Sequence, residues 1–201
     1  MNRTGRPRGF DRDLAVEQAM HVFWAYGYEF ASLAKLRAVM GGISSASFYA
    51  AFGSKEALFR EALALYEARY GGCLDPLFDA ALPGRAAIEQ ALRRAVDMQT
   101  DAAHPPGSLT AAAPTGGSPD AVAVQRAIAA IRASHHRAIR ACIDRAARAG
   151  EMSPALDPAG LAAAFNGFLV GISVQARDGL DRATLHRAVS EMMRLWHAAA
   201  A

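Results

Sequence analysis

The sequence has few cysteines and no long uninterrupted apolar segment. Its only cysteines, Cys73 and Cys142, lie far apart and lack the spacing of a metal-binding motif. No apolar run reaches the roughly 18 residues that a membrane-spanning helix needs, and no charged-then-apolar signal segment opens the chain. We therefore expect a reduced, cytoplasmic protein that does not enter a membrane.

The motifs that identify helical enzymes are also lacking. The chain has no glycine-rich phosphate loop, no HExxH zinc motif, no nucleophile elbow and no cluster of carboxylates. His104, His135 and His136 are candidate metal ligands, but adjacent histidines on a helix point about 100° apart and suit a shared ion poorly. We predict no enzymatic activity, no cofactor and no metal site.

The residues that are abundant favour an entirely helical globular protein. Hydrophobic residues make up 52% of the chain and charged residues 20%, which is not the composition of a disordered protein. Alanine is frequent, β-branched residues are few, and apolar residues recur at helical spacing almost throughout. The predicted fold class is all-α.

Charge is distributed unevenly along the chain. Residues 1–60 hold eight Lys or Arg against five Asp or Glu, whereas residues 61–201 hold fourteen of each, so the whole net charge of +3 lies in the first part. Both lysines, Lys35 and Lys55, are there as well. This asymmetry predicts an N-terminal part that binds a polyanion and a neutral C-terminal part.

Residues 1–8 form a basic arm. Arg3, Arg6 and Arg8 lie around Pro7, which keeps this segment extended. Arginines on an extended arm suit the narrow minor groove of A·T-rich DNA. An ordinary disordered terminus would explain the same residues, and the two interpretations differ in how binding responds to salt.

Cap and stop residues divide the N-terminal third into helices. The predicted caps are Asp11, Ser32, Ser44 or Ser45, and Ser54, and the stops are Gly27, Gly41-Gly42 and Gly53. The fourth helix is expected to run from Lys55 to about Tyr70. Short helices joined by a glycine turn predict a helix-turn-helix unit, whose recognition helix enters the major groove of DNA.

The outward face of the third helix is small and uncharged. Phe48 and Phe52 are one turn apart and are expected to face the core, which leaves no Arg, Asn or Gln for bidentate base contacts. Sequence would therefore be read through hydroxyls, methyl contacts and DNA shape, while helix N-termini hold phosphates. The predicted DNA-binding residues are Arg6, Arg8, Ser32, Ser44, Ser45, Ala46, Ser47, Tyr49 and Lys55. Taken singly, each is also explained as an ordinary cap or solvated surface.

The rest of the chain is predicted to form longer helices and one loop. Helices are expected over about residues 85–102, from Ser118-Pro119 to Gly150, from Asp157-Pro158 to about Gly179 and from Asp181 to His197. The last two carry more apolar surface than a thin shell buries, which favours a four-helix bundle between two chains. The predicted interface residues are Leu161, Phe165, Leu169, Ile172, Leu185, Val189, Met192 and Trp196. Closure of the core of a single chain is the alternative.

The N-terminal motifs resemble those of the TetR/AcrR family of bacterial transcriptional regulators over about residues 9–68. The resemblance is carried by Gly27-Tyr28, Ser32, Met40-Gly41-Gly42-Ile43-Ser44, Phe48-Tyr49, Phe52 and residues 54–59. Ala31 replaces the usual threonine, and the glycine turn is one residue longer than usual. The resemblance implies an all-helical homodimer with its last two helices at the interface and a ligand cavity in the C-terminal domain.

These observations predict a sequence-specific repressor that releases a palindromic operator on binding a small molecule. The expected domains are the arm (1–8), the helix-turn-helix domain (9–53), a connecting helix (54–70) and a ligand-binding and dimerisation domain (71–201). The candidate ligand contacts are Tyr66, Tyr70, Met98, Gln99, His104, Phe165 and Phe168, which favour an apolar or aromatic ligand. The alternatives are a helical adaptor with nonspecific DNA binding and a redox-sensing regulator acting through Cys73 or Cys142.

Overall fold

The computed structural model describes residues 11–111, 121–153 and 155–196, and all regular structure in these ranges is helical. The helices are α1 (Arg12–Phe30), α2 (Leu33–Val39), α3 (Ser45–Phe52), α4 (Lys55–Tyr70), a 3₁₀ helix (Gly71–Phe78), α5 (Gly84–Gln99), α6 (Val122–Arg148), α7 (Pro158–Arg177) and α8 (Arg182–Met192). The predicted all-α class is confirmed. The basic arm and the start signal Ser118-Pro119 lie outside the described residues.

The predicted caps begin the first four helices. Asp11 accepts hydrogen bonds from two backbone N–H groups in the first turn of α1. Ser32, Ser44 and Ser54 each accept one from the N–H group three residues later, at 3.2, 3.0 and 2.9 Å. Ser44, and not Ser45, is therefore the cap of α3. Each such cap stabilises its helix by about 1 kcal/mol.

Two neighbouring faces of α1 are buried. Phe23 and Trp24 are both fully buried, and their rings pack edge-on against two residues of α4. Phe23 lies 5.0 Å from Phe59, and Trp24 lies 4.8 Å from Tyr66, measured between ring centroids. α1 is thus held by aromatic contacts along the length of α4.

The predicted apolar face of α1 was partly wrong. Leu14 and Tyr26 were expected to face the core, but they are 49% and 52% exposed. Met20 and Trp24 are fully buried instead. The buried face of α1 is wider than predicted and displaced around the helix, because the C-terminal half of the chain also packs against it. The prediction assumed an amphipathic helix with one buried face and so missed this second contact.

The side chains form two hydrophobic cores. The first joins α1, α2, α3 and α4, and it also includes Leu109, Val124 and Ile128 from the C-terminal half. The second is built from the 3₁₀ helix and from α5, α6, α7 and α8. Helix α6 therefore contributes to both cores, its beginning to the first and its later turns to the second.

The predicted interface residues of α7 and α8 lie inside the chain. Seven of the eight are buried in the second core, and Met192 is partly buried against it. Within a single chain these side chains face the core, and their place at a dimer interface stays a prediction. The same apolar spacing serves a core or an interface equally well, and here α5 and α6 pack against these helices and cover that face.

Helix α7 has the length and apolar composition of a membrane span, although the sequence analysis expected none. One side of this helix nevertheless packs within the protein, since Phe165 and Ile172 are fully buried. Asp157 caps the helix, and Pro158 begins it. A central helix of a folded core meets the same criteria of length and composition as a membrane helix.

Candidate nucleic-acid interface and cavity

The turn between α2 and α3 contains two consecutive glycines in left-handed conformation. Gly41 and Gly42 have φ of 76° and 73°. The N–H of Gly42 donates to the carbonyl of Arg37 at 2.9 Å, which is the closing bond of a Schellman motif. The additional residue of this turn is accommodated because both of its central positions are glycine.

Arg37 connects the two helices across this turn. Its Nε donates to the carbonyl of Ile43 at 2.6 Å, and its Nη1 donates to Oγ of Ser45 at 3.0 Å. The guanidinium therefore fixes the first residue of α3 relative to the last turn of α2. Arg37 was not among the predicted DNA-binding residues. Its place in the last turn of a helix before a glycine turn is the signal that was available.

The outward face of α3 carries the side chains that were expected there. Phe48 and Phe52 are buried, whereas Ser45, Ala46 and Ser47 are exposed. Tyr49 is 52% exposed. The hydroxyl of Ser44 is shared between capping and a 2.9 Å hydrogen bond with the hydroxyl of Ser47. This face is uncharged, and hydroxyl groups and methyl groups are what it can offer to DNA.

Both lysines are held over tyrosine rings. Nζ of Lys35 lies 4.0 Å from the ring centroid of Tyr26, and Nζ of Lys55 lies 4.5 Å from that of Tyr28. Lys55 begins α4 after the cap Ser54. Partial burial lowers the pKa of Lys55, while Glu29 opposes that shift. The lysine charges are thus placed at defined positions by cation–π contacts.

Arg126 lies in the same groove as the N-terminus of α4. This groove is lined by Tyr28, Ser54, Lys55 and Arg126, among others. Arg126 belongs to α6, far along the chain from the helix-turn-helix, so no local pattern indicated it. It adds a second cationic side chain, beside Lys55 at the N-terminus of α4, to a surface suited to phosphate.

A cavity of about 40 Å³ lies between α4, the 3₁₀ helix, α5, α6, α7 and the segment 108–111. Of the predicted ligand contacts, Tyr66, Tyr70, Met98 and Gln99 line this cavity. The other three do not line it, and their contact with a ligand stays a prediction. His104 stacks on Trp24, and both phenylalanines pack in the second core, Phe165 fully buried and Phe168 partly so.

The cavity is more polar than its apolar helices suggested. Glu67, Cys73, Arg132, His135 and Asn166 also line it, together with hydroxyls of the loop. Burial raises the pKa of the Glu67 carboxyl and lowers the pKa of His135. An apolar or aromatic ligand was favoured because little charge recurs along these helices, but polar residues that are scattered in the sequence converge here.

The two thiols are poorly placed for redox chemistry. Burial raises the pKa of Cys73 to about 12 and also raises that of Cys142. The Cys142 thiol lies 3.2 Å from the carbonyl of Leu77. Because the thiolate is the reactive form, these raised pKa values disfavour redox chemistry at both cysteines.

No group of three or more potential metal ligands occurs among the described residues. His135 lines the cavity, whereas His104 packs between Trp24 and Tyr70. The imidazoles of His104 and His135 therefore lie in different surroundings. The arrangement gives no support to a site shared by these histidines.

Trp24 connects α1 to the loop beside the cavity. Its Nε1 donates to the carbonyl of Gly107 at 3.2 Å, and its own carbonyl accepts from Nη2 of Arg177 at 2.9 Å. The same Nη2 lies 3.4 Å from the carbonyl of Ser108. The hydroxyl of Tyr66, in the cavity wall, donates to Oγ of Ser108 at 3.0 Å. A buried polar network thus joins the cavity to the first helix of the N-terminal unit; we call it the Trp24 network.

Comparisons with known proteins agree with this architecture. Residues 15–62 match the model of bacterial regulatory proteins, tetR family. The HTH-type transcriptional repressor ComR of Escherichia coli (strain K12) is 31% identical over 193 residues, which cover 96% of this chain and 91% of ComR. A cysteine mutant of the TetR family transcriptional regulator CifR, solved in complex with 26-base-pair double-strand operator DNA, is 42% identical; the match covers 96% of this chain and 100% of that chain, with a TM-score of 0.85. A TetR transcriptional regulator from Chloroflexus aurantiacus, 18% identical over 91% of this chain and 92% of its own, has the same fold with a TM-score of 0.73.

Proposed function

Because this chain belongs to the TetR family of bacterial transcriptional regulators, we propose that it is a cytoplasmic homodimeric repressor. In this proposal it releases a palindromic operator when a small molecule enters the cavity. Members of this family are DNA-binding regulators and not enzymes. The observation that carries the proposal is the Trp24 network, because it ties the cavity wall to the DNA-binding unit.

On the DNA side, α3 would enter the major groove with Ser45, Ala46, Ser47 and Tyr49 facing the bases and backbone. Ser32, Ser44 and Lys55 would contact phosphates at helix N-termini, and Arg6 and Arg8 would lie in the minor groove. The 42% identity to a regulator that was solved on operator DNA supports this assignment. Specificity would depend strongly on DNA shape, since this face of α3 has no side chain for bidentate base contacts.

The dimer would form through the outward faces of α7 and α8. Ala164, Gly167 and Val174 are exposed along one side of α7, and Leu195 is exposed just beyond α8. Small residues allow two such helices to approach closely, while the buried side of α7 stays in the core. Two recognition helices must then lie about 34–36 Å apart to enter successive major grooves.

The small size of the cavity supports a coupling between ligand and DNA. About 40 Å³ holds only a few water molecules, whereas pockets for drug-sized ligands measure about 300–1,000 Å³. In this proposal, a ligand of more than a few atoms displaces Tyr66 or the loop around Ser108 as it enters. Both are hydrogen-bonded within the Trp24 network, so this displacement would move α1 and α4. The ligand would act only through its different affinity for the two arrangements.

The proposal is tested by footprinting the purified protein on the DNA that flanks its own gene, at a physiological salt concentration of about 0.15 M. Protection of a near-palindrome is expected, and the protected site then serves to screen for compounds that release the protein. Binding that is strongly salt-sensitive but protects no defined site, there or in a genome-wide search, would favour the nonspecific adaptor instead.

A further inference from the structure

The cavity contains two acceptor groups for which the described residues supply no hydrogen-bond donor. Gln99 is only 3% exposed, and its Oε1 is buried without a hydrogen-bond partner in the described part of the chain. The half-buried carboxylate of Glu67 forms neither a hydrogen bond nor an ion pair with any described residue. An unpaired buried acceptor is costly, so Oε1 of Gln99, together with the Glu67 carboxylate on the same cavity, indicates a ligand that donates hydrogen bonds.

Two aromatic rings stand beside these acceptors. Tyr66 and Tyr70 lie one turn apart on α4, with ring centroids 5.5 Å apart, and both line the cavity together with Glu67. Tyr70 is held in place by edge contacts with Trp24 and His104. Aromatic faces next to a carboxylate attract organic cations, because the ring quadrupole and the negative charge act in the same direction.

The other charged or titratable groups on the cavity do not favour an anion. Arg132 already donates to the carbonyl of Thr110 at 3.2 Å and has a further interaction partner. Burial lowers the pKa of His135, which keeps it neutral near pH 7, and the Cys73 thiol stays protonated. A carboxylate ligand would meet the unpaired Glu67 and would leave Gln99 without a donor.

We propose that this cavity binds the ammonium group of a small organic amine, with Glu67 as its counter-charge. The N–H groups of the amine donate to Glu67 and to Oε1 of Gln99, and the positive charge lies against the ring of Tyr70. The proposal rests on the proposed function in taking this cavity as the inducer site. At about 40 Å³ the site accepts an ammonium head and little more, so a longer alkyl chain has to open the wall at Tyr66.

The test uses the full-length protein without DNA. Methylammonium, butylammonium and hexylammonium are compared with 1-butanol and butyrate, which match butylammonium in length but are neutral or negative. Binding is followed by thermal shift and by intrinsic tryptophan fluorescence in a Trp196→Phe background, where the signal comes from Trp24, which packs against Tyr66 and Tyr70. At least one alkylammonium ion is expected to bind, while butanol and butyrate do not.

Variants locate the site. Glu67→Gln should weaken binding of that ammonium ion by about tenfold or more, because it removes a charged acceptor. Gln99→Leu should also weaken binding, and it should fold well because it removes an unsatisfied acceptor from a buried position. Glu151→Gln is the matched control, since it makes the same chemical change at an exposed residue, and its affinity should equal that of the wild type.

Three results would overturn the proposal: no binding of any alkylammonium ion, tighter binding of butyrate than of butylammonium, or undiminished binding in both cavity variants. The operator assay is a separate measurement. An ammonium ion that binds through Glu67 without releasing the operator supports the ligand class and counts against the proposed function. Release of the operator by butyrate alone would support the proposed function and count against an organic amine as the ligand.

Discussion

At the scale of single residues, Arg37 has the clearest structural role in the DNA-binding unit. Its guanidinium spans the turn and holds both Ile43 and Ser45, one through a backbone carbonyl and one through a hydroxyl. A lysine can supply the charge but not two divergent donors in fixed geometry. Arg37 therefore orients α3, whichever bases that helix contacts.

Replacing Arg37 by methionine should lower both stability and operator affinity. We expect a loss of about 1–3 kcal/mol in the free energy of unfolding, since a charge-assisted hydrogen bond to a half-buried carbonyl is removed. Urea denaturation and gel-shift titration measure the two effects. Arg140→Met is the control: Arg140 pairs with Asp144 on the surface of α6, and its loss should cost less than about 0.5 kcal/mol and leave DNA binding unchanged. Equal effects of the two variants would contradict this role.

At the scale of elements, the α2–α3 turn needs glycine because of its backbone conformation and not because neighbouring atoms leave no room for a side chain. A Cβ added to Gly41 or Gly42 would meet no atom within 4 Å, yet both residues have positive φ. Any cost of substitution is therefore conformational strain, which is about 1–2 kcal/mol for most L-residues and smaller for asparagine. This distinguishes the turn from Gly84 in α5, where an added Cβ would lie 2.3 Å from the carbonyl oxygen of Cys142.

Gly42→Ala should accordingly destabilise the protein by about 1–2 kcal/mol, and Gly42→Asn by less. Urea unfolding curves of the two variants provide the measurement. Gly171, which has ordinary helical geometry and no close neighbour, is the matched position where alanine should be neutral or slightly stabilising. If Gly42→Ala and Gly42→Asn cost the same, the strain of the left-handed conformation would not be what sets the cost.

The elements were predictable from sequence to the extent that their signals are local. Asp11, Ser32, Ser54 and Asp157 cap helices at the predicted positions, because a cap and its N–H partners lie within four residues. The side of a helix that is buried, and what buries it, depends on distant segments. The apolar side of α7 could equally have faced a partner chain, and the polar cavity forms where α4 meets a loop some forty residues further along the chain.

At the scale of the whole molecule, the N-terminal unit is not an independent module. Leu109, Val124 and Ile128 complete its hydrophobic core, and Arg177 of α7 reaches the carbonyl of Trp24. Folding of the two halves should therefore be cooperative in the native protein. In the proposed function, a ligand in the cavity would affect DNA binding through these same contacts, so the contacts that hold the two halves together would also transmit the effect of the ligand.

Arg177→Met should uncouple the two halves. The substitution removes the donor that serves the carbonyls of Trp24 and Ser108. Burial lowers the pKa of Arg177, which shows that its charge is partly desolvated at this position. We expect one calorimetric unfolding transition in the wild type. In the variant it should separate into two, with the N-terminal unit melting first.

Arg182→Met is the control for this separation. Arg182 donates to Asp97 and Thr100, so it connects α8 to α5 within the second core and does not cross the junction. Its loss should lower the stability of that core without exposing the N-terminal unit. Hydrogen exchange identifies which helices open first in each variant. A single transition in Arg177→Met, with uniform exchange, would mean that the apolar contacts of Leu109, Val124 and Ile128 join the halves without help from Arg177, and the path from cavity to DNA would then run through those side chains.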